Sequence, residues 1–412
     1  MAIPFASLGT HATDILRSSS ATSLFDPSPV VPPGPPDNAF WIGGEIKAGQ
    51  SVNTVSGLHY SGTLVNHGQI HGTMIGISGA SGDIENYGTI SSDEVAIIPI
   101  PVGNLIINNY GTISGIDSFV DPSHFNSAIY HISNFGDMNG NVFLGGGAGS
   151  TFDSSHGTVE GVIHAGQTGD IIHAATNGGT VLGGGGNDSL FANTSQAAAD
   201  HHTTTVLDGG GGHNDLHGGS GFTVFEIGNG YGNNDVYGGL SHMKGVSGYT
   251  NNTISFEHAT EGARVYLDTG IAQVGHEFDT IHNVPNVIGS KFADTILCDS
   301  GTDHITGGGG GDNLIAGKGH DTFLYNAFAD SNATGKDTMD SIAGFKSGID
   351  KIDITAFEKA EGITGASHIH IATSGHTSTV YVEHGTTFDA AHDLALTVDS
   401  THGLHVSDFL HM

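Results

Sequence analysis

The sequence predicts an all-β chain wound as an elongated β-solenoid, and three observations predict it. Residues 289–324 repeat every nine residues. Residues 40–160 repeat more loosely, every 20 to 25 residues. Glycine supplies 66 of the 412 residues and recurs in phase with both repeats. That is more than twice the usual share of about 7%, and its periodic placement reads as turns rather than disorder.

Residues 1–25 are rich in Ser, Thr and Ala, and residues 26–37 read DPSPVVPPGPPD. A Pro-rich run of this kind is extended polyproline II and cannot join a central strand. Residues 1–37 therefore read as a tail and stiff spacer, with plain terminal disorder as the competing reading.

Residues 38–164 carry the looser repeat: an apolar residue, Asn, an aromatic or His, Gly, any residue, then Ile or Met. It stands as VNHGQI at Val65–Ile70, IENYGTI at Ile84–Ile90, INNYGTI at Ile107–Ile113 and ISNFGDM at Ile132–Met138. The asparagines at 66, 86, 109 and 134 are 20, 23 and 25 residues apart. One solenoid coil has that length. Asn-x-Gly after a strand makes a turn, so stacked coils should align Asn66, Asn86, Asn109 and Asn134 as an amide ladder. The growing spacing implies a loop insertion, such as DEVAIIPIPVGN at 93–104. A β-sandwich with recurring turns is the competing reading.

Residues 165–239 bring in the nine-residue phase, at Ala165–His173, Ala174–Leu182 and Gly183–Phe191. Asp170 and Asp188 lie two units apart, with Gly179 between them, so the two repeats should join without a linker. Beyond a Thr/Ala/His insertion, residues 207–239 are a degenerate stretch whose phase slips by one residue near His213. Asp215 and Asp235 are its expected acids, and Thr223 replaces another. Residues 240–288 read as a β spacer, with Val265 and Leu267 alternating.

Residues 289–412 begin with the clearest repeat, in units Gly289–Leu297, Cys298–Thr306, Gly307–Ile315 and Ala316–Leu324. The sixth place is Asp294, Asp303, Asp312 and Asp321; the eighth is Ile296, Ile305, Leu314 and Phe323. Six Gly-rich residues make a tight turn at no Cβ cost. The last three make a short strand with its eighth-place side chain in the core. Two units form a coil, and coils stack about 4.8 Å apart. Asp294 then stacks on Asp312, and Asp303 on Asp321. Asp330 falls in phase beyond Asp312. Stacked carboxylates repel unless a cation lies between them, and oxygen-only ligands in a flexible turn select Ca²⁺. Several Ca²⁺ ions are expected.

This stretch resembles the RTX family of hemolysin-type calcium-binding repeats. The resemblance implies a right-handed parallel β-helix or β-solenoid continuing into calcium-binding β-rolls. Residues 337–357, DTMDSIAGFKSGIDKIDITAF, resemble the cap of serralysin-type C-terminal domains. The match falls on Asp340, Phe345, Gly348, Asp350, Ile352 and Asp353, and it adds Asp340 and Asp350 to the expected metal residues. Residues 240–288 are similar to the spacer of RTX adhesins, and the 40–160 repeat to secreted bacterial surface β-helices and autotransporter passengers. Asp408-Phe409-Leu410 is similar to the end of type I secretion signals. That route suits a chain whose first twenty residues lack a basic region followed by an apolar one.

Ten Lys and Arg against 42 Asp and Glu leave a net charge of −32. This excludes nucleic acid and anionic membranes as partners. No 18-residue apolar run is present to insert in a membrane. One cysteine excludes an internal disulfide. The zinc-protease motif H-E-x-x-H fails, because Thr280 stands where His276-Glu277 needs a second His. Ser220 in GGSGF is no nucleophile elbow. The 27 histidines, densest at His201-His202 and His368/His370, form no converging zinc set by spacing. The expectation is not an enzyme but an extracellular, calcium-loaded structural protein forming homo-oligomers or polymers. The alternative is an adhesin for a surface glycan or partner surface, and a polysaccharide-modifying β-helix enzyme is the third reading.

Overall fold

The computed structural model describes residues 40–79, 82–99, 103–121, 128–145, 147–195, 203–228, 232–238, 252–334, 338–383, 389–390 and 392–412. The tail and spacer at 1–37, and His201-His202, lie outside the described residues. The chain forms two compact units, Met1–Thr205 and Val206–Met412. Each is a parallel β-solenoid.

In the first unit, one sheet stacks Ser51–Asn66, Gly82–Asn86, Leu105–Asn109, Tyr130–Asn134, Thr151–Asp153, Ile171–His173 and Ser189–Phe191, all parallel. Its inward residues pair in one file: Leu64, Ile84, Ile107, Ile132, Phe152, Ile172 and Leu190, all buried. The opposite sheet files Ile70, Ile90, Ile113, Met138 and Val159 against them. Alternation of inward apolar and outward polar residues is what a strand with one buried face requires. The loose repeat and the first nine-residue units share these sheets, with Thr151–Asp153 pairing both Tyr130–Asn134 and Ile171–His173. Residues 93–104 are not simply a loop insertion. Val95–Ile98 is a strand, buried at Val95, Ala96 and Ile97, that pairs with Gln69–Ser78 and Thr112–Val120.

The amide ladder is present. Asn66 Nδ2 donates to Asn86 Oδ1, Asn86 to Asn109 and Asn109 to Asn134, each at 2.7 Å. Asn134 Nδ2 ends it on Ser154 Oγ at 2.9 Å. Each second amide hydrogen goes to a backbone carbonyl, at Thr89, Thr112, Asp137 and Thr158. The next residue on each turn stacks outside, His67 on Tyr87, Tyr87 on Tyr110 and Tyr110 on Phe135, at 4.8–5.1 Å between ring centroids.

In the second unit, the strands Thr295–Leu297, His304–Thr306, Asn313–Ile315 and Thr322–Leu324 coincide with the last three residues of each nine-residue unit. Ile296, Ile305, Leu314 and Phe323 are all buried. One file runs Phe225, Ile254, Val287, Ile305, Phe323, Ile352 and Phe409. The other runs Val265, Ile296, Leu314, Ile342 and Val398. The spacer enters the sheet as an antiparallel meander, Ala263–Tyr266, Ile271–Val274 and Glu277–His282. Val265 points inward there, but Leu267 lies past the strand end and is only half-buried. The tail adds the helix Thr355–Glu361 and an antiparallel set, Ile369–Ser374, Thr377–Val382 and Leu394–Ser400. Among the described residues no helix is long and apolar enough to cross a membrane.

Candidate metal centre

The sixth-place aspartates lie two residues before a buried apolar side chain, so their own side chains point inward at the mouth of the turn. Asp294, Asp303, Asp312 and Asp321 are at most 3% exposed. Several of these carboxylates close their own turn by accepting the N–H four residues back. Ser290 donates to Asp294 Oδ2 at 2.5 Å, Asp299 to Asp303 Oδ2 at 2.8 Å, and Gly317 to Asp321 Oδ2 at 2.7 Å. Lys346 does the same for Asp350 at 2.7 Å, and Asn326 for Asp330 at 2.6 Å.

Many of them also accept an N–H from the neighbouring coil, which builds columns. Ala263 N–H donates to Asp294 at 2.6 Å, Asp294 N–H to Asp312 at 2.8 Å, and Asp312 N–H to Asp340 at 2.8 Å. On the other side Asp321 N–H donates to Asp350 at 3.1 Å. In the first unit Ser150 N–H donates to Asp170 at 2.9 Å and Asp170 N–H to Asp188 at 2.8 Å.

Burial, joined at some positions by neighbouring acids, raises Asp170, Asp188, Asp294, Asp303, Asp312, Asp321, Asp330 and Asp340 above the ordinary carboxylate range. Burial, then Asp188, pushes Asp170 up to about 8. Burial alone pushes Asp188 to about 7 and Asp294 to about 6. Burial, aided by Asp299 and Asp321, takes Asp303 to about 7. Burial, then repulsion by Asp294 and Asp330, raises Asp312, and burial, then repulsion by Asp312 and Asp330, raises Asp340; burial also raises Asp321 and Asp330. Ionising such a column without a counter-charge is costly.

The residues fit Ca²⁺. Among the described residues, Asp170 Oδ2 and Asp312 Oδ2 are buried acceptors with no hydrogen-bond partner, which is a donor set left over after the turns are closed. At the first place, a Cβ on Gly289 would meet Asp294 Oδ2 at 2.4 Å, and one on Gly307 would meet Asp312 Oδ2 at 2.2 Å. Backbone and carboxylate therefore converge where a side chain would intrude. Hard oxygen donors of this kind suit a hard cation, which would neutralise the oxygen-only columns held by Asp170/Asp188 and Asp294/Asp312/Asp340; beside Asp303 and Asp321 lies the sulfur of Cys298.

Five residues fall differently from the sequence phase. Asp215 and Asp235 point away from the core; the inward places belong to Asn214 and Asn234, one residue earlier, and then to Asp279. Asn214 Nδ2 donates to Asn234 Oδ1 at 3.0 Å, and Asn234 donates from N and Nδ2 to Asp279 Oδ1 at 2.8 and 2.9 Å. Asp235 instead meets His213 Nε2 at 3.3 Å and Thr280 Oγ1 at 2.5 Å, near Asp215. Beyond Asp312 the next rung is Asp340, not Asp330, which closes its own turn beside the column. Asp279 was missed, although it precedes Ile281 by two places as Asp294 precedes Ile296. Asp408 was missed as a site residue too. It accepts from Ser347 Oγ at 2.7 Å, Gly348 N–H at 2.8 Å and His405 N–H at 2.9 Å. Burial opposes its ionisation, but these donors outweigh it and hold Asp408 below the ordinary range. Its role is to cap the turn of Asp350. His370 Nε2 pairs with Glu383 at 3.3 Å, and neither it nor His368 joins a metal-type cluster among the described residues.

No match is found among the curated proteins. Among solved structures, the AlgE6R2 subunit of the Azotobacter vinelandii mannuronan C5-epimerase, determined in solution, is similar over 39% of this chain and 91% of that one. The identity is 22% and the TM-score 0.28. Residues 283–410 match the family model of the peptidase M10 serralysin C terminal, and over that span the chain carries an RTX-type β-roll of the serralysin C-terminal kind.

Proposed function

We propose that this chain is a secreted calcium-binding repeat protein of the cell surface or extracellular matrix, exported by type I secretion, whose role is structural rather than catalytic. The observation that carries the calcium reading is the column Asp294–Asp312–Asp340, buried, raised in pKa and holding an acceptor at Asp312 Oδ2 that no group among the described residues satisfies. Serralysin-type rolls are typical of type I secreted proteins, which supports the route. Affinities of extracellular calcium modules, about 10⁻⁴–10⁻³ M, suit a chain that stays open inside the cell and closes outside it.

Self-assembly follows from edges and charge. Phe40–Ile46 pairs with Ser51–Asn66 and, among the described residues, with no other strand. An unpaired edge is a place to add a strand. Residues 1–25, carried on the Pro-rich spacer, would reach a neighbour's edge and build a fibre or sheet, because the contact is heterologous. Calcium would offset part of the −32 charge that keeps copies apart. Electron microscopy of the full chain with and without Ca²⁺ tests this. Ordered assemblies are expected only with Ca²⁺, and deletion of residues 1–36 should abolish them. Assemblies unchanged by the deletion would end the connector idea. A chain that stays monomeric in Ca²⁺ and binds a glycan array would be the adhesin instead.

A further inference from the structure

Cys298 is the only cysteine in the chain, and it is 2% exposed. It stands at the first place of its nine-residue unit. On the other turn that place is Gly289 and Gly307, where a Cβ would run into the carboxylate of the same unit's aspartate. A first-place side chain is thus aimed at the sixth-place acid. On Cys298's own turn the place holds side chains, Cys298 and then Ala316.

Cys298 Sγ, a carboxylate oxygen of Asp303 and one of Asp321 all lie within 4.8 Å of one another, and all three residues are buried. Asp303 and Asp321 each use Oδ2 to close a turn. Asp321 Oδ1 remains buried without a hydrogen-bond partner, on a residue only 1% exposed. The enclosure therefore holds a sulfur and two carboxylates, one of which keeps an oxygen that nothing among the described residues satisfies. Donors around a tetrahedral zinc-sized ion, with bonds of about 2.0–2.3 Å, stand about 3.3–3.8 Å apart. Ligand atoms within 4.8 Å of one another close to that with shifts of at most about 1.5 Å.

We propose that Cys298, Asp303 and Asp321 form a binding site for a thiophilic divalent cation of the zinc and cadmium class, chemically distinct from the all-oxygen turn at Asp294 and Asp312. Thiolate sulfur prefers such ions over Ca²⁺, whereas oxygen-only sets do the reverse. Binding replaces the thiol proton by the metal and releases that proton to solvent. A fourth ligand would come from water or a turn carbonyl. The inference deepens the calcium reading by giving one turn a different cation, but its readout is sulfur alone.

The test titrates the full, reduced, Ca²⁺-loaded chain with Cd²⁺ and follows the thiolate-to-cadmium charge-transfer absorbance. A band saturating at one Cd²⁺ per chain is expected. It should vanish in Cys298→Ala, a change that copies the native Ala316 at the same place and should leave Ca²⁺-dependent circular dichroism intact. Asp321→Asn should weaken Cd²⁺ binding at least about tenfold, since even outer-shell changes cost about 10–100-fold. Absence of the band in folded chain whose thiol is free after unfolding would overturn the proposal. So would a band equally strong in unfolded chain, or one displaced by equimolar Ca²⁺. If the band appears while Ca²⁺ leaves the dichroism unchanged, this site stands and the calcium reading fails.

Discussion

The backbone N–H of Asp294 donates to a carboxylate oxygen of Asp312 at 2.8 Å, across 18 residues of chain. One hydrogen bond thus ties two coils and uses half of a carboxylate, leaving the other oxygen for a cation. Substituting Asp312→Asn keeps an acceptor for that N–H and removes the charge; Asn214 and Asn234 hold the corresponding buried places of their own turns. Stability in EGTA should change little, while the increment conferred by Ca²⁺ should fall by about 1–3 kcal/mol. For a domain of this size that is about 2–4 °C of melting temperature per kcal/mol. Asp235→Asn, on the outward face, should leave the Ca²⁺ increment unaltered. Calorimetry of both variants, with and without Ca²⁺, decides it.

Stability without calcium should fall as pH rises. Asp170, Asp188, Asp279, Asp294 and Asp303 have folded pKa values raised from 3.8 to about 6–8. The folded chain then binds more protons than the unfolded one between those limits. The stabilisation is complete below about pH 4 and is lost as pH climbs through the raised values. Saturating Ca²⁺ substitutes for the protons and should flatten the profile. Thermal melts at about pH 5 and about pH 8, in EGTA and in Ca²⁺, check the sign. A calcium-free chain more stable at the higher pH would contradict it.

Gly307→Val should damage the Asp312 turn more than Ala316→Val damages the Asp321 turn. A Cβ at 307 meets Asp312 Oδ2 at 2.2 Å, whereas position 316 already carries one. The expected result is loss of calcium binding at the Asp312 turn in the Gly307 variant. Calcium stoichiometry by isothermal titration reads this directly; equal stoichiometry in both variants would refute it.

Asn109→Ala should lower the melting temperature of the chain in Ca²⁺-free buffer and in Ca²⁺ alike. It strands the amide of Asn86, the Oδ1 of Asn134 and the carbonyl of Asp137. Each buried group left unsatisfied costs about 1–3 kcal/mol. Asn108→Ala, which removes only a half-buried bond to Glu85, should cost less. Denaturation of the two variants side by side is sufficient.

The residue order alone determined the repeat. A turn of six residues and a strand of three are local objects, so the phase of Gly, Asp and apolar side chains specifies them wherever it holds. The buried file Ile296, Ile305, Leu314, Phe323 and the ladder Asn66, Asn86, Asn109, Asn134 were legible for that reason. Where the phase slips, the inward residue was still marked by an apolar partner two places on. Leu216, Val236 and Ile281 mark Asn214, Asn234 and Asp279, whereas the acids of that stretch pointed to Asp215 and Asp235 instead. Which coil stacks on which was decided only in three dimensions. Asn234 meets Asp279 across 45 residues, and Asp312 meets Asp340 rather than Asp330 across 28. Val95–Ile98 joins a sheet instead of a loop, and Cys298 faces Asp321 on the next coil. The cost of closing a loop grows only logarithmically with its length. Spacing in sequence therefore says little about the partner, and packing of the apolar file selects it.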